Sequence, residues 1–227
     1  MSARVDLVDV DRARRDPAVF AEILVGEPLW PHQRAVVESE ARIRCVCSGR
    51  QAGKSRTLAM LALHAAFAAP GQRVLVLSAG EDAARDLLAH CQMLLTSPLL
   101  AGAVVDENKS LLVLSNGSTI QSVPASSKQV RGKSIDLLII DEAAFVDDDI
   151  WSAAQYTVIS RARSRVVLAS TPWGRPDRFF ASLYRAGERG VDGIESFHWP
   201  STASPLVDTT LLDVWRQTGT ELSLIHI

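Results

Sequence analysis

The sequence predicts an α/β fold, an open and mostly parallel sheet with helices on both faces. Three observations predict it. The octet SGRQAGKS, Ser48 to Ser55, stands at the end of an apolar strand and opens a helical stretch. LLIIDEAAF, Leu137 to Phe145, runs four apolar residues into two carboxylates, as a buried parallel strand does where it ends at a ligand crevice. Around these segments, strand and helix patterns alternate, the order that builds parallel sheets through crossover helices.

Taken in order, residues 1–28 read as a charged, helical lead-in. RIRCVCS, ending at Ser48, is the first core strand, and Gly53 to Ala69 is the helix that the octet opens. RVLVLSA (Arg73 to Ala79) is a second strand. A helix from Glu81 to about Leu95 follows, with apolar positions at Leu87, Leu88, Cys91 and Leu94 or Leu95. In LLVLSNGSTIQSV (Leu111 to Val123), Asn116 and Gly117 separate two alternating runs, a strong hairpin signal that predicts an inserted antiparallel pair. The strand Leu137 to Ile140, a helix through Ile150 to Ile159 and the buried strand RVVLAS (Arg165 to Ser170) come next. Helix, strand and helix through Phe179, Ile194 and Leu211 complete the pattern, with no repeats or low-complexity tracts.

Composition bounds the function. The 227 residues, 47% of them apolar, suffice for one large α/β core. A net charge of −2 carries no footprint of a stand-alone nucleic-acid binder, so any DNA contact must be local or built by assembly. Cys45, Cys47 and Cys91 are odd in number and lack zinc spacing, which reads as reduced core thiols in a reducing cytoplasm. The charged N-terminus has no signal core. The longest apolar run, Leu58 to Pro70, is too short to span a bilayer and is broken by His64, so no membrane association is expected.

The octet carries the chemistry. Gly53 lets backbone pass close to a phosphate, and the amides opening the next helix aim unpaired donors and a positive dipole end at the anion. Lys54 then reaches the β and γ phosphates, and the Ser55 hydroxyl holds Mg²⁺. The usual pattern G-x-x-x-x-G-K-[ST] wants glycine where Ser48 stands, and Gly49 comes one place late. That departure leaves Arg50 inside the loop, where a guanidinium can lie against the γ-phosphate; a plain surface loop charge is the alternative. Gln51, Ala52 and Arg56 complete the expected nucleotide-contacting stretch. Asp141 is the second Mg²⁺ group, and Glu142 the base that polarises the attacking water. A solvated surface pair would explain Asp141 and Glu142 if they stood alone, but a phosphate loop lies upstream. The motifs therefore point to ATP hydrolysis on a P-loop NTPase architecture of the ASCE or recA-like type, with an inserted antiparallel hairpin.

Four landmarks carry a family resemblance: LWPHQ (Leu29 to Gln33), SGRQAGKS, VRGKSIDLLIIDEAAF (Val130 to Phe145) and LASTPWG (Leu168 to Gly174). From about residue 27 to 215 the chain resembles the ATPase half of a tailed-bacteriophage terminase large subunit. The resemblance implies that Gln33, with Trp30 and His32 beside it, reads adenine; the alternative is a polar residue opening a helix. It implies a basic residue early in a deviant loop, which is how Arg50 stands. Ser170, Thr171 and Pro172 match the coupling motif, with Thr171 the preferred γ-phosphate sensor, although turn chemistry explains these residues equally well. Arg131, ten residues before Asp141, lies where some terminases place an arginine finger acting on a neighbouring subunit. A contact to DNA phosphate or a solvated loop charge competes with that role. Arg161, Arg163 and Arg165 could track DNA, but a solvated helix end is the preferred reading.

The same resemblance implies a motor that hydrolyses ATP to move double-stranded DNA into a procapsid in the host cytoplasm. It would work as a homo-oligomeric ring with a portal protein and a terminase small subunit. The expected division is an ATPase domain over 29–205, the start of a linker over 206–221 toward a nuclease domain that this chain lacks, and Leu222 to Ile227 as sequencing-adapter read-through. Two rivals stand beside it. A helicase or DNA remodeller shares the glutamine, the loop, the acidic pair and a coupling triad; Arg50, the DEAA string and the inserted hairpin argue against it. A non-catalytic nucleotide switch has no need of Glu142.

Overall fold

The computed structural model describes residues 6–126, 130, 132–172 and 176–217. Its strands are β1 (Ile43–Ser48), β2 (Arg73–Ser78), β3 (Val104–Asn108), β4 (Leu111–Leu114), β5 (Thr119–Pro124), β6 (Leu137–Asp141), β7 (Arg165–Ser170) and β8 (Ile194–Trp199). Its helices are α1 (Leu7–Arg15), α2 (Pro17–Val19, running on as a π-helical turn over Phe20–Val25), α3 (Pro31–Glu38), α4 (Lys54–Ala68), α5 (Glu81–Leu94), α6 (Asp148–Ile159), α7 (Phe179–Glu188) and α8 (Thr209–Gln217).

Apolar residues at successive positions of the central strands bury opposite faces of one sheet. In β6, Leu137 and Ile139 face one core, and Leu138 and Ile140 the other. β2 divides in the same way, Val74 and Val76 against Leu75 and Leu77, as does β7, Val167 and Ala169 against Val166 and Leu168. The first face is covered by α4 and α5 together with Ala13 of α1, Phe20 and Leu24 of the π-helical turn and Val36 of α3. Residues 13–25 thus contribute to the main core. The second face is covered by α6 and α7, where the rings of Trp151 and Phe179 stack 5.1 Å apart.

The sheet order is β3-β4-β5-β2-β6-β7-β1-β8, parallel from β5 through β8 and antiparallel where β3 and β4 extend one edge. The expected hairpin is β4 and β5, joined through Asn116 and Gly117, with Gly117 at φ 78°. Its turn is tied to the end of α4: Asn116 Nδ2 donates to the Ala66 carbonyl at 2.8 Å, and Ser118 Oγ to the Ala69 carbonyl at 3.1 Å. These bonds satisfy carbonyls that a helix end leaves without partners. β5 is itself a member of the parallel sheet, and the antiparallel extension includes β3, which the sequence pattern does not announce. Its residues Val105 to Asn108 are exposed, so no apolar alternation marks it.

The three cysteines are free, and burial pushes the Cys45 and Cys91 thiols up to about 12. Among the described residues, no helix is long and apolar enough to cross a membrane. Arg131 and Leu222 to Ile227 lie outside the described residues.

Candidate nucleotide site

Topology gathers the motifs. β7 lies between β6 and β1, so the carboxyl end of β7 separates the Asp141–Glu142 pair from the loop that leaves β1. Register places Ser170 beside Cys47 of β1 and Ala169 beside Asp141 of β6. In an open parallel sheet this is the edge at which ligands bind.

The loop from Ser48 to Ser55 turns through two left-handed residues, Gln51 at φ 60° and Gly53 at φ 81°. Gly53 is required there twice over. A Cβ would meet Gln33 Nε2 at 2.3 Å and the Trp30 ring at 3.0 Å, in a backbone conformation that side chains disfavour. Ser48 is buried, and its hydroxyl donates to the Gly49 carbonyl at 2.9 Å. The Gly49 amide in turn donates to the Trp199 carbonyl at 2.6 Å, which anchors the loop entrance to β8.

Lys54, at the start of α4, reaches both carboxylates. Its Nζ donates to Asp141 Oδ1 at 2.8 Å and also to Glu142 Oε1. Asp141 is 5% exposed, so the ammonium compensates a carboxylate that water does not reach well. Glu142 sits at φ 52°, a left-handed conformation that costs a non-glycine residue about 1–3 kcal/mol. Several bonds hold it. Its amide donates to Asp141 Oδ1 at 2.9 Å, and Oε2 receives the Ser170 hydroxyl at 3.3 Å and the Thr171 amide and hydroxyl at 3.5 Å each. Adjacent residues of a strand face opposite sides of the sheet, and these two acids both reach Lys54 because the second leaves the pleat.

An open cavity of about 630 Å³ lies over these groups, lined in part by Gly49, Arg50, Gln51, Gly53, Lys54, Ser55, Arg56, Glu142 and Thr171. Arg50 is exposed in it and makes no hydrogen bond or ion pair among the described residues. Arg56 is held by Glu27 at 2.9 Å and lies 5.6 Å over the Trp30 ring. The oxygen donors of Ser55, Asp141 and Glu142 suit a hard divalent cation, and the amides opening α4 suit phosphate, so these residues fit a magnesium nucleotide.

Gln33 lies beneath the loop in this arrangement. It is fully buried, Oε1 accepts the Trp30 amide at 3.0 Å, and Nε2 donates to the Gly53 carbonyl at 3.3 Å. Each amide atom thus makes one hydrogen bond within the protein, in a capping arrangement at the start of α3. Arg161 pairs with Asp136 at 2.6 Å, whereas Arg163 and Arg165 are exposed. Sequence reasoning preferred Thr171 within the coupling motif and gave Ser170 no separate role, although Ser170 holds the nearer hydroxyl to Glu142. It also assigned nothing to Trp199, Phe145 or Leu206. The last two line the cavity from segments far apart in sequence; Phe145 closes the DEAAF landmark, whereas no motif signals Leu206.

Comparison with known proteins agrees with this fold. The family model "Terminase large subunit, T4likevirus-type, N-terminal" matches residues 45–205. The terminase large subunits of Thermus virus P23-45 and Thermus phage G20c are each 26% identical over 181 residues, 70% of this chain. The chain spans 37% of the length of either relative. The large terminase ATPase domain of Thermus phage P74-26 superposes with a TM-score of 0.74 at 22% identity, covering 93% of this chain and 96% of that one. The large terminase of bacteriophage D6E, solved in complex with ADP, superposes with a TM-score of 0.68 at 14% identity over 84% of this chain and 50% of its own. These matches do not favour the helicase reading. With the family match running from β1 past the last strand of the sheet, the chain belongs to the N-terminal family of terminase large subunits.

Proposed function

We propose that this chain is the ATP-hydrolysing part of a viral DNA-packaging motor. The carrying observation is the position of Glu142, bound at once to Lys54 of the phosphate loop and to Ser170 and Thr171 of the coupling turn. One carboxylate thereby joins the group that would bind phosphate to the segment that would report its loss.

In this reading Lys54 leaves the two carboxylates when a triphosphate enters and turns its charge to the β and γ phosphates. Mg²⁺, held by Ser55 and Asp141, would supply charge neutralisation at the phosphoryl oxygens. Glu142, freed of its ammonium partner, accepts a proton from the attacking water at a carboxylate oxygen. Arg50 lies against the γ-phosphate from the loop, and Gly53, Lys54 and Ser55 offer their amides. Arg131 would reach a neighbouring subunit's nucleotide as a finger, supported by its place ten residues before Asp141.

The partners are double-stranded DNA, further copies of the chain in a ring, a portal protein and a terminase small subunit, within the host cytoplasm. Membership of the terminase family supports them. A net charge of −2 fits DNA binding only by summation, because several weak phosphate contacts repeated around a ring suffice. Turnover of ATP by the purified chain with Mg²⁺, with and without duplex DNA, tests the reading. Glu142→Gln should retain ATP binding and lose hydrolysis by roughly 10²–10⁴-fold; undiminished hydrolysis in that variant would exclude Glu142 as the base.

A further inference from the structure

We propose that His32 is a positioning residue of the phosphate loop, acting through the peptide bond between Ala52 and Gly53. His32 Nε2 lies 2.9 Å from the Ala52 carbonyl oxygen. A carbonyl can only accept, so the ring nitrogen donates and carries its proton there.

The consequence follows from peptide geometry. A trans peptide is planar, and its C=O and N–H point in opposite directions. A donor that draws the Ala52 carbonyl to one side therefore turns the Gly53 amide to the other. Ala52 is 1% exposed and absent from the cavity wall, whereas Gly53 lines the cavity. The carbonyl thus points into protein, and the amide beside it toward the space where phosphate would sit. No helical bond fixes this peptide, because Gly53 lies outside the first turn and its amide has no intrahelical acceptor. The next peptide is different: the Gly53 carbonyl receives the Thr57 amide at 3.1 Å, the Thr57 hydroxyl at 3.0 Å and Gln33 Nε2 at 3.3 Å. Where Gln33 reinforces a bond that the helix already makes, His32 supplies the orienting bond that the Ala52 carbonyl has.

His32 is itself placed with care. It is the second residue of α3, and its ring meets Trp199 edge-on at 4.8 Å and Trp30 at 5.7 Å. Trp199 also holds the loop entrance, through its carbonyl and the Gly49 amide. The ring is therefore wedged between the residues that flank both ends of the loop, with its Nε2 side turned to Ala52.

The inference rests on the nucleotide reading, and it is tested by binding of ATP, inorganic tripolyphosphate and adenosine to the 227-residue chain, measured by titration calorimetry. His32→Phe keeps a ring between the tryptophans and removes the donor. It should weaken ATP and tripolyphosphate by the same factor, about tenfold for one hydrogen bond, and leave adenosine binding unchanged. A glutamine amide reaches the position of Nε2 and an asparagine amide does not. His32→Gln should therefore restore affinity to within a few-fold, and His32→Asn should not, a pair that decides the matter even if the phenylalanine variant fails to fold. Equal binding by His32→Phe and the unsubstituted chain, or equal weakness of the glutamine and asparagine variants, overturns the inference alone. Failure of the unsubstituted chain to bind ATP overturns the nucleotide reading and this inference with it.

Discussion

Ser170 and Glu142 are joined by a hydrogen bond of 3.3 Å from the serine hydroxyl to Oε2, and the same hydroxyl accepts the Ala144 amide at 3.3 Å. One buried side chain on β7 thereby fixes both the glutamate and the turn that follows it. Ser170→Ala should lower kcat for ATP by roughly tenfold or more, since a hydrogen bond to a charged group contributes about 1.5–3 kcal/mol. KM should change little, because among the described residues the Ser170 side chain makes no hydrogen bond to the phosphate loop. Steady-state kinetics check this, and a variant with raised KM and intact kcat would contradict it.

Gly53→Ala should be severe. The added Cβ meets Gln33 Nε2 at 2.3 Å, the Trp30 ring at 3.0 Å, and a φ of +81°. A left-handed non-glycine residue costs about 1–3 kcal/mol before the overlaps are counted. Thermal denaturation should show a lowered Tm, and ATP binding should be lost even in the folded fraction.

Arg50 and Lys54 should separate stability from function. Arg50 is exposed and unpaired among the described residues, so Arg50→Ala should leave stability within about 0.5 kcal/mol while reducing turnover. Lys54→Met removes the ammonium from two carboxylates, one of them 5% exposed, and should both abolish ATP binding and lower Tm. Denaturation midpoints and nucleotide titrations on the two variants distinguish the cases.

His64 makes stability depend on pH. Burial, as its ring packs edge-on to Phe20 at 5.6 Å, pushes the imidazole down from 6.5 to about 4. Between those values the unfolded chain takes up a proton that the folded chain refuses, so stability rises with pH and is lost as pH falls through this window. The slope should approach about 1.4 kcal/mol per pH unit. Chemical denaturation of His64→Leu at pH 4.5, 5.5 and 6.5 should show a flatter profile than the unsubstituted chain.

Most of the fold was legible because its signals are local. Four consecutive apolar residues before Asp141 announce a strand buried on both faces, and Asn116–Gly117 announces the turn between β4 and β5. β3 was not legible, since an exposed edge strand held by backbone pairing needs no apolar pattern. Lys54, Ser55, Asp141 and Glu142 were legible as a group because each residue type has a narrow chemical use at its place in the loop or at the strand end.

The sequence by itself determined which residues have the chemistry that phosphate, metal and water would require, because glycine's left-handed freedom, the lysine charge and the carboxylates belong to residue type. Tertiary structure alone decided how they are held. Only the insertion of β7 between β6 and β1 puts Ser170 against Glu142, and only the packing of α3 beneath the loop engages Gln33 and His32 with the carbonyls of Gly53 and Ala52. Hydrogen bonds between segments distant in the chain depend on where the sheet and its helices carry them. No spacing within the sequence encodes that meeting directly.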